Sequence, residues 1–239
     1  MTEETTGPSA AAIAARLGSA AVGAGIGTIV AGPLGAVGGA FLQEALNEYG
    51  PRLIDAVNRR RSQAAAQVVA VGADTAGMSL DQFSDRIESS PELLSLLAET
   101  VQAAMETPLA DKIHALGVCL GSGAQDHTQV ETARLHVRGL ARIEPQEAKL
   151  MALLDQPNPN GRDPWLGWNR AEILEDRPEL IGALDPCMAL LVAEGLAADA
   201  GVAGFGGGGP GREQWILTVF GRECLRLLQA LTPTTEPQP

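Results

Sequence analysis

The sequence predicts a mainly α-helical fold, and two observations carry that prediction. Aromatic residues make up only 3% of the chain although apolar residues make up 45%, so the core must consist of Ala, Leu and Val, which favours closely packed helices. Helix-start signals also recur through the middle of the chain, with apolar residues behind them at intervals of three and four. These signals are the capping box at 79–82, Ser90-Pro91, Thr107-Pro108 and Asp126. The Gly-Ser-Gly run at 121–123 is expected to end the helix before Asp126.

Charge and cysteine content exclude several classes of function. The net charge of −12 argues against non-specific binding of nucleic acid or anionic lipid by the protein as a whole. Cys119, Cys187 and Cys224 are widely spaced within apolar helical patterns, which predicts reduced core thiols and not a disulfide framework. The acidic N-terminal sequence lacks the basic region of a secretory signal, so we expect a cytoplasmic location.

A charge-free segment at 17–43 is the most unusual part of the chain. Small residues recur at every fourth position from Ser19, a pattern that lets two helices approach closely. Each Gly costs about 1 kcal/mol against Ala in an exposed helix, so such a helix needs a partner. We therefore predict membrane association or self-association through four of these positions, Gly23, Gly27, Gly35 and Gly39.

A bilayer and a protein helix both remain open as partners of this segment. Its length exceeds the roughly 20 residues that a membrane span needs, but it is poor in Ile, Leu and Phe. Pro33 would divide it into half-helices at about 17–31 and 34–49, forming a hairpin or a kinked span. A single span of the inner membrane would leave the C-terminal part in the cytoplasm, because three arginines follow the segment.

The three arginines, Arg59, Arg60 and Arg61, are expected to end an amphipathic helix that follows Leu42. Two interpretations are open. The arginines contact lipid headgroups, or they are solvated cations at the C-terminal end of a helix.

No pattern indicates catalysis, a cofactor or a small-molecule substrate. The three histidines, His114, His127 and His136, show neither the i, i+4 spacing of a metal site nor a nearby Cys-x-x-Cys. The glycine run at 201–211 has no Gly-Lys-Ser/Thr, so it does not predict a phosphate-binding loop. We expect no metal and no enzymatic activity.

The C-terminal part has an order of elements that predicts a winged helix-turn-helix. Helices are expected at 145–155, after Asn169 and at 185–195, strands at 196–198 and 214–217, and a last helix after Thr218. The layout of the chain is then a disordered or helical lead at 1–16, the glycine-rich segment and amphipathic helix at 17–61, a helical region at 62–143, the winged-helix module at 144–231 and a disordered tail at 232–239.

Two short motifs in this module resemble MarR-type regulators. They are LVAEGL at 191–196 and WILTVFG at 215–221, which are similar to the end of the third helix and the wing of that family. The resemblance implies the winged-helix fold and a DNA-binding regulator. The helix at 185–195, however, has no Lys, Arg, Asn or Gln to read bases, and 144–231 contains 13 acidic and 7 basic side chains, a net charge of −6.

The layout of the whole chain also resembles abortive-infection-alpha type bacterial proteins. That resemblance implies a role in phage defence or at a membrane, without known chemistry. We expect a non-enzymatic, membrane-associating or self-assembling protein with a protein-binding winged helix, and a homo-oligomer or a protein partner instead of nucleic acid. DNA binding is the alternative.

Trp165 and Trp168 lie close together in the loop before the second helix of the module. They are candidate partner-binding residues, because tryptophan is enriched at binding hot spots. The alternative is that the loop covers a small core.

Overall fold

The computed structural model describes residues 35–159, 167–200 and 214–230, and only the backbone at 35–53. The chain divides into two compact units. The first unit comprises Met1–Pro108 and Leu116–Glu131, and the second comprises Leu109–Ala115 and Thr132–Pro239.

The described residues are mostly helical, which confirms the predicted mainly α fold. They contain nine α-helices: α1 (Gly35–Thr75), α2 (Leu80–Glu88), α3 (Pro91–Glu106), α4 (Ala110–Gln125), α5 (Val130–Arg142), α6 (Pro145–Leu154), α7 (Arg170–Asp176), α8 (Leu184–Ala193) and α9 (Val219–Gln229). Short 3-10 turns lie at His127–Gln129 and Pro178–Leu180.

The first unit is held together by α1, α2, α3 and the later part of α4. The predicted caps of α2 and α3 are confirmed. Ser79 Oγ accepts a hydrogen bond from the Gln82 main-chain N–H, and Gln82 Oε1 accepts one from the Ser79 N–H. Ser90 Oγ accepts a hydrogen bond from the Leu93 main-chain N–H and so caps α3, whose first residue is Pro91. Among the described side chains, the core of the unit is aliphatic apart from the Phe83 ring: Val68, Phe83, Leu93, Leu96, Leu116 and Leu120 are buried.

Glycine determines how closely α1 and α4 pack. A Cβ built at Gly117 would lie 2.6 Å from the Val71 Cβ, and one at Gly121 would lie 2.5 Å from the Gly72 main-chain oxygen. Real Cβ atoms do not approach other atoms so closely.

The prediction that Gly121, Ser122 and Gly123 end this helix was wrong. The helix continues to Gln125, because packing against α1 outweighs the low helix propensity of glycine.

Two other predicted boundaries differ from the structure. The helix containing Arg59, Arg60 and Arg61 does not end there but continues to Thr75. The interpretation of these arginines as cations at a helix C-terminus was therefore wrong. The helix predicted to follow Pro108 begins at Ala110.

The second unit contains a three-stranded antiparallel sheet with the order β1-β3-β2. The strands are β1 (Trp168–Asn169), β2 (Ala197–Asp199) and β3 (Gln214–Leu217). Trp168 pairs with Trp215, and Ala197 pairs with Leu217. The strands predicted at 196–198 and 214–217 are present, the first shifted by one residue. β1 was not predicted.

Local caps position the helices around this sheet. Asn169 and Glu172 form a reciprocal capping box at the start of α7. Thr218 Oγ1 accepts a hydrogen bond from the Gly221 N–H and donates one to the Gly195 main-chain oxygen, 2.7 Å away. This bond ties the start of α9 to the turn that follows α8, where Gly195 has a φ of +70°.

A buried lysine joins the beginning of α4 to the end of α5 within the second unit. Lys112 is almost fully buried, and its Nζ donates to the main-chain oxygens of Ala141 and Ile143 at 3.0 and 2.8 Å. Glu144 Oε1 lies 3.4 Å from the same nitrogen. The ammonium group thus satisfies carbonyls that the end of a helix leaves unpaired.

Candidate functional site

Helix α8 divides cleanly into an inward and an outward face. Its inward side chains, Leu184, Cys187, Met188 and Leu191, are buried. We define the α8 face as the exposed residues of this helix together with Ile181, which precedes it. The α8 face consists of Ile181, Asp185, Pro186, Ala189, Val192 and Ala193.

The α8 face is apolar and has little capacity for hydrogen bonding. The Ile181 side chain is 74% exposed and Val192 is 44% exposed. Asp185 has the only ionisable side chain on the face, and it forms an ion pair with Arg170 of α7. No residue of the face offers the amide or cationic donors that read base edges in a major groove.

The chain around the α8 face is acidic. Residues 170–194 contain six acidic side chains and two basic ones, a net charge of −4. Glu179 is exposed two residues before Ile181, and within the described part of the chain it has no ion-pair partner. Glu194 is 3.7 Å from Arg142 of α5. The surroundings of the face would therefore repel phosphate.

A second uncovered surface lies on α1, and we call residues 54–63 the exposed α1 segment. All ten of its residues are exposed, including Ile54 at 56% and Val57 at 50%. Arg59, Arg60 and Arg61 belong to it. From Ala64 onward the same helix is buried along one side. The segment is therefore a helix without a covering partner among the described residues.

The backbone of α1 is helical through residues that oppose helix formation. Gly35, Gly38, Gly39 and Gly50 each cost about 1 kcal/mol against Ala, and Pro51 costs about 3 kcal/mol. A helix with this composition is not stable by local propensity alone.

The four glycines predicted to mediate association are only partly within the described residues. Gly35 and Gly39 lie in the first two turns of α1, whereas Gly23 and Gly27 lie outside the described part. No helix that the structure describes is both long enough and apolar enough to cross a bilayer.

Trp168 lies in the core of the second unit. It is 3% exposed, and its Nε1 donates a hydrogen bond to the Gln156 main-chain oxygen at 3.1 Å. Asn158, also buried, donates to the Gly167 oxygen and to Glu172. These bonds join Gln156 and Asn158 to residues 167–172, which favours the core-covering interpretation for Trp168. Trp165 lies outside the described residues.

One cluster contains the residue types of a nucleophilic site but not its geometry. Ser90 Oγ is 3.3 Å from His127 Nε2 and donates to Glu92 Oε2 at 2.8 Å. In a catalytic triad the carboxylate orients the second ring nitrogen of the histidine. Here Glu92 contacts the serine and lies 3.8 Å from the same Nε2, while Ser90 Oγ caps α3.

His136 lies in a structural contact. His136 Nε2 is 3.1 Å from Glu223 Oε2 and its ring packs on Phe220, which links α5 to α9. No group of three His, Cys, Asp or Glu side chains among the described residues is placed to hold a metal ion.

Comparison with known proteins finds no relative of the chain. No family model, no curated protein and no solved structure matches the chain. Two separate candidate surfaces are thus defined by exposure and charge: the exposed α1 segment in the first unit and the α8 face in the second.

Proposed function

We propose that the second unit is a winged helix-turn-helix that binds protein through the α8 face. The order of elements supports the fold. Three helices (α6, α7 and α8) are followed by two antiparallel strands and a last helix, and the short strand β1 pairs with β3 beside α7. In such modules the helix in the position of α8 is the recognition helix.

The observation that carries the proposal is the chemistry of the α8 face. Ile181 and Val192 expose apolar surface, and Asp185 is neutralised by Arg170. Charge-poor apolar surface is typical of the centre of a protein–protein interface, whereas recognition of DNA needs phosphate-binding cations and base-reading donors. We therefore infer that the protein is a non-enzymatic interaction protein, and that its winged helix, which resembles the MarR type, binds a protein partner.

Photo-crosslinking tests the proposal directly. A photoreactive amino acid at Val192 of the full chain should give a discrete adduct with another protein chain in cells that produce it. The matched control is Leu94 on α3, an apolar side chain of nearly equal exposure that lies in the first unit. Equal and diffuse labelling from both positions would contradict a protein-binding α8 face.

DNA binding is the second candidate, and the element order itself favours it. Arg170 lies on α7 and Arg222 on α9, and both are engaged: Arg170 pairs with Asp185, and Arg222 donates to the Leu217 oxygen at 3.0 Å. Binding to duplex DNA that falls steeply with salt and is lost in Arg170→Ala would support this candidate over the first.

A further inference from the structure

We propose that the exposed α1 segment of one chain binds the α8 face of a second copy of this chain. The inference rests on the proposed function, because it takes the α8 face to be a protein-binding surface. It adds the identity of the partner and the segment that the partner contributes.

The exposed α1 segment continues a stripe that is buried farther along the same helix. Ile54, Val57, Arg61, Ala65 and Val68 follow one another at intervals of three and four residues and so lie on one side of α1. Ala65 and Val68 are buried in the first unit, whereas Ile54 and Val57 are not covered. The apolar stripe thus extends about three turns beyond the part of α1 that its own unit covers.

Charge complementarity identifies the α8 face as the surface that fits this stripe. The exposed α1 segment contains three arginines and one aspartate, a net charge of +2, while residues 170–194 around the α8 face have a net charge of −4. Both surfaces expose apolar side chains, Ile54 and Val57 on one and Ile181 and Val192 on the other. Glu179, exposed two residues before Ile181, is an acidic side chain that Arg61 would meet.

Two other partners, a second α1 segment and an anionic membrane, fit the exposed α1 segment less well. Two α1 segments packed on each other would leave Arg61 without an acid, because Asp55 lies about 120° around the helix from it. An anionic membrane would attract the arginines but would repel the protein as a whole, whose net charge is −12.

The two copies contribute different surfaces to one contact. A pair of copies related by a two-fold axis can make the contact twice, whereas a pair that makes it once leaves one exposed α1 segment and one α8 face uncovered. Further copies then add until a ring closes, or a filament forms if it does not.

Charge reversal in two variants of the full chain tests the contact. The first variant is Arg61→Glu, and the second is Glu179→Lys. By sedimentation velocity at low salt the unsubstituted chain should self-associate, and each variant alone should associate about tenfold more weakly. A mixture of the two variants should recover association, because each then meets a surface of opposite charge. Variants that had merely misfolded would not recover.

The matched control is Arg59→Glu, which makes the same charge change on the opposite side of the helix from Ile54 and Val57. It should leave association within about twofold of the unsubstituted chain.

Two outcomes would overturn the inference. One is a chain that stays monomeric at all concentrations, whether or not its arginines bind vesicles of phosphatidylcholine and phosphatidylserine, and the other is a mixture that does not recover. If the chain is monomeric while Val192 crosslinks to a different protein, the inference fails and the proposed function stands. If Val192 gives no specific adduct, both fail.

Discussion

The main-chain oxygen of Gly72 occupies the space that a side chain at Gly121 would need. A Cβ at Gly121 would lie 2.5 Å from that oxygen and 2.6 Å from the Thr75 Cβ. Backbone atoms cannot move aside as a flexible side chain can. The crossing of α1 and α4 therefore requires glycine at this position, and the first unit depends on it.

Gly121→Ala should destabilise the protein. Alanine raises helix propensity by about 1 kcal/mol, but overpacking against a backbone oxygen costs about 1–3 kcal/mol, and the second effect should win. Urea unfolding followed by circular dichroism measures the difference. Gly182→Ala is the control, because a Cβ there meets nothing within 4 Å. A Gly121→Ala variant as stable as this control would contradict the close packing.

Lys112→Met should destabilise the second unit. The substitution keeps most of the side-chain volume but removes the donors that bind the Ala141 and Ile143 oxygens. Leaving buried acceptors unpaired costs about 1–3 kcal/mol. The free energy of unfolding reports the loss, and Lys149→Met on α6, where the side chain is exposed, should change it little. Equal stability of the two variants would show that the buried ammonium is dispensable.

The cysteines should be unreactive in the folded protein. All three thiols are buried as predicted, and burial raises the pKa of Cys187 to about 11 and that of Cys224 to about 12 from 9.0. A thiol reagent at pH 8 should therefore label the native chain slowly and the urea-unfolded chain quickly. Rapid labelling of the native chain would contradict this burial.

The same pKa shifts predict loss of stability in alkali. The folded-state pKa values lie above the ordinary value of 9.0, so thiolate formation favours the unfolded chain. Their contribution to stability is complete below pH 9 and declines as the pH rises from 9 towards 11 and 12. A Cys224→Ala variant should lose less stability over that range than the unsubstituted chain.

Self-association through the glycine segment stays a prediction, which Gly35→Leu tests. If helices meet at the stripe of small residues, leucine separates their backbones and the association weakens. If the segment is an exposed helix, the same change is neutral or stabilises it by roughly 1 kcal/mol. We expect weaker association in sedimentation experiments, and unchanged association would count against the packed glycine stripe.

Local features of the fold could be predicted from the sequence, and long-range ones could not. The caps at Ser79, Ser90, Asn169 and Thr218 depend on residues within one turn, so the sequence indicates them directly. Strand β1 is two residues long and exists because β3 pairs with it, so no periodicity indicates it.

The role of Gly121 could not be predicted for a related reason. Glycine usually ends a helix, and only the approach of α1, about fifty residues earlier in the chain, makes it necessary inside one.

The candidate site was predictable in composition but not in arrangement. The absence of base-reading residues at 185–195 is visible in the sequence. Which residues of α8 face outward, and that Arg170 pairs with Asp185, depends on tertiary packing. Trp168 was a candidate binding residue in the sequence, but tertiary packing buries its side chain in the core.

The most direct test of the α8 face as a protein-binding surface uses a fluorescent label on it. Ala189→Cys places a thiol at the centre of the face, and the buried native cysteines allow an environment-sensitive dye to attach there selectively. The labelled full chain is titrated at low salt with unlabelled chain and, separately, with duplex DNA of mixed sequence. We expect a blue shift with added protein chain and no change with DNA. A shift with DNA that disappears as salt is raised, with none on adding protein, would contradict the account.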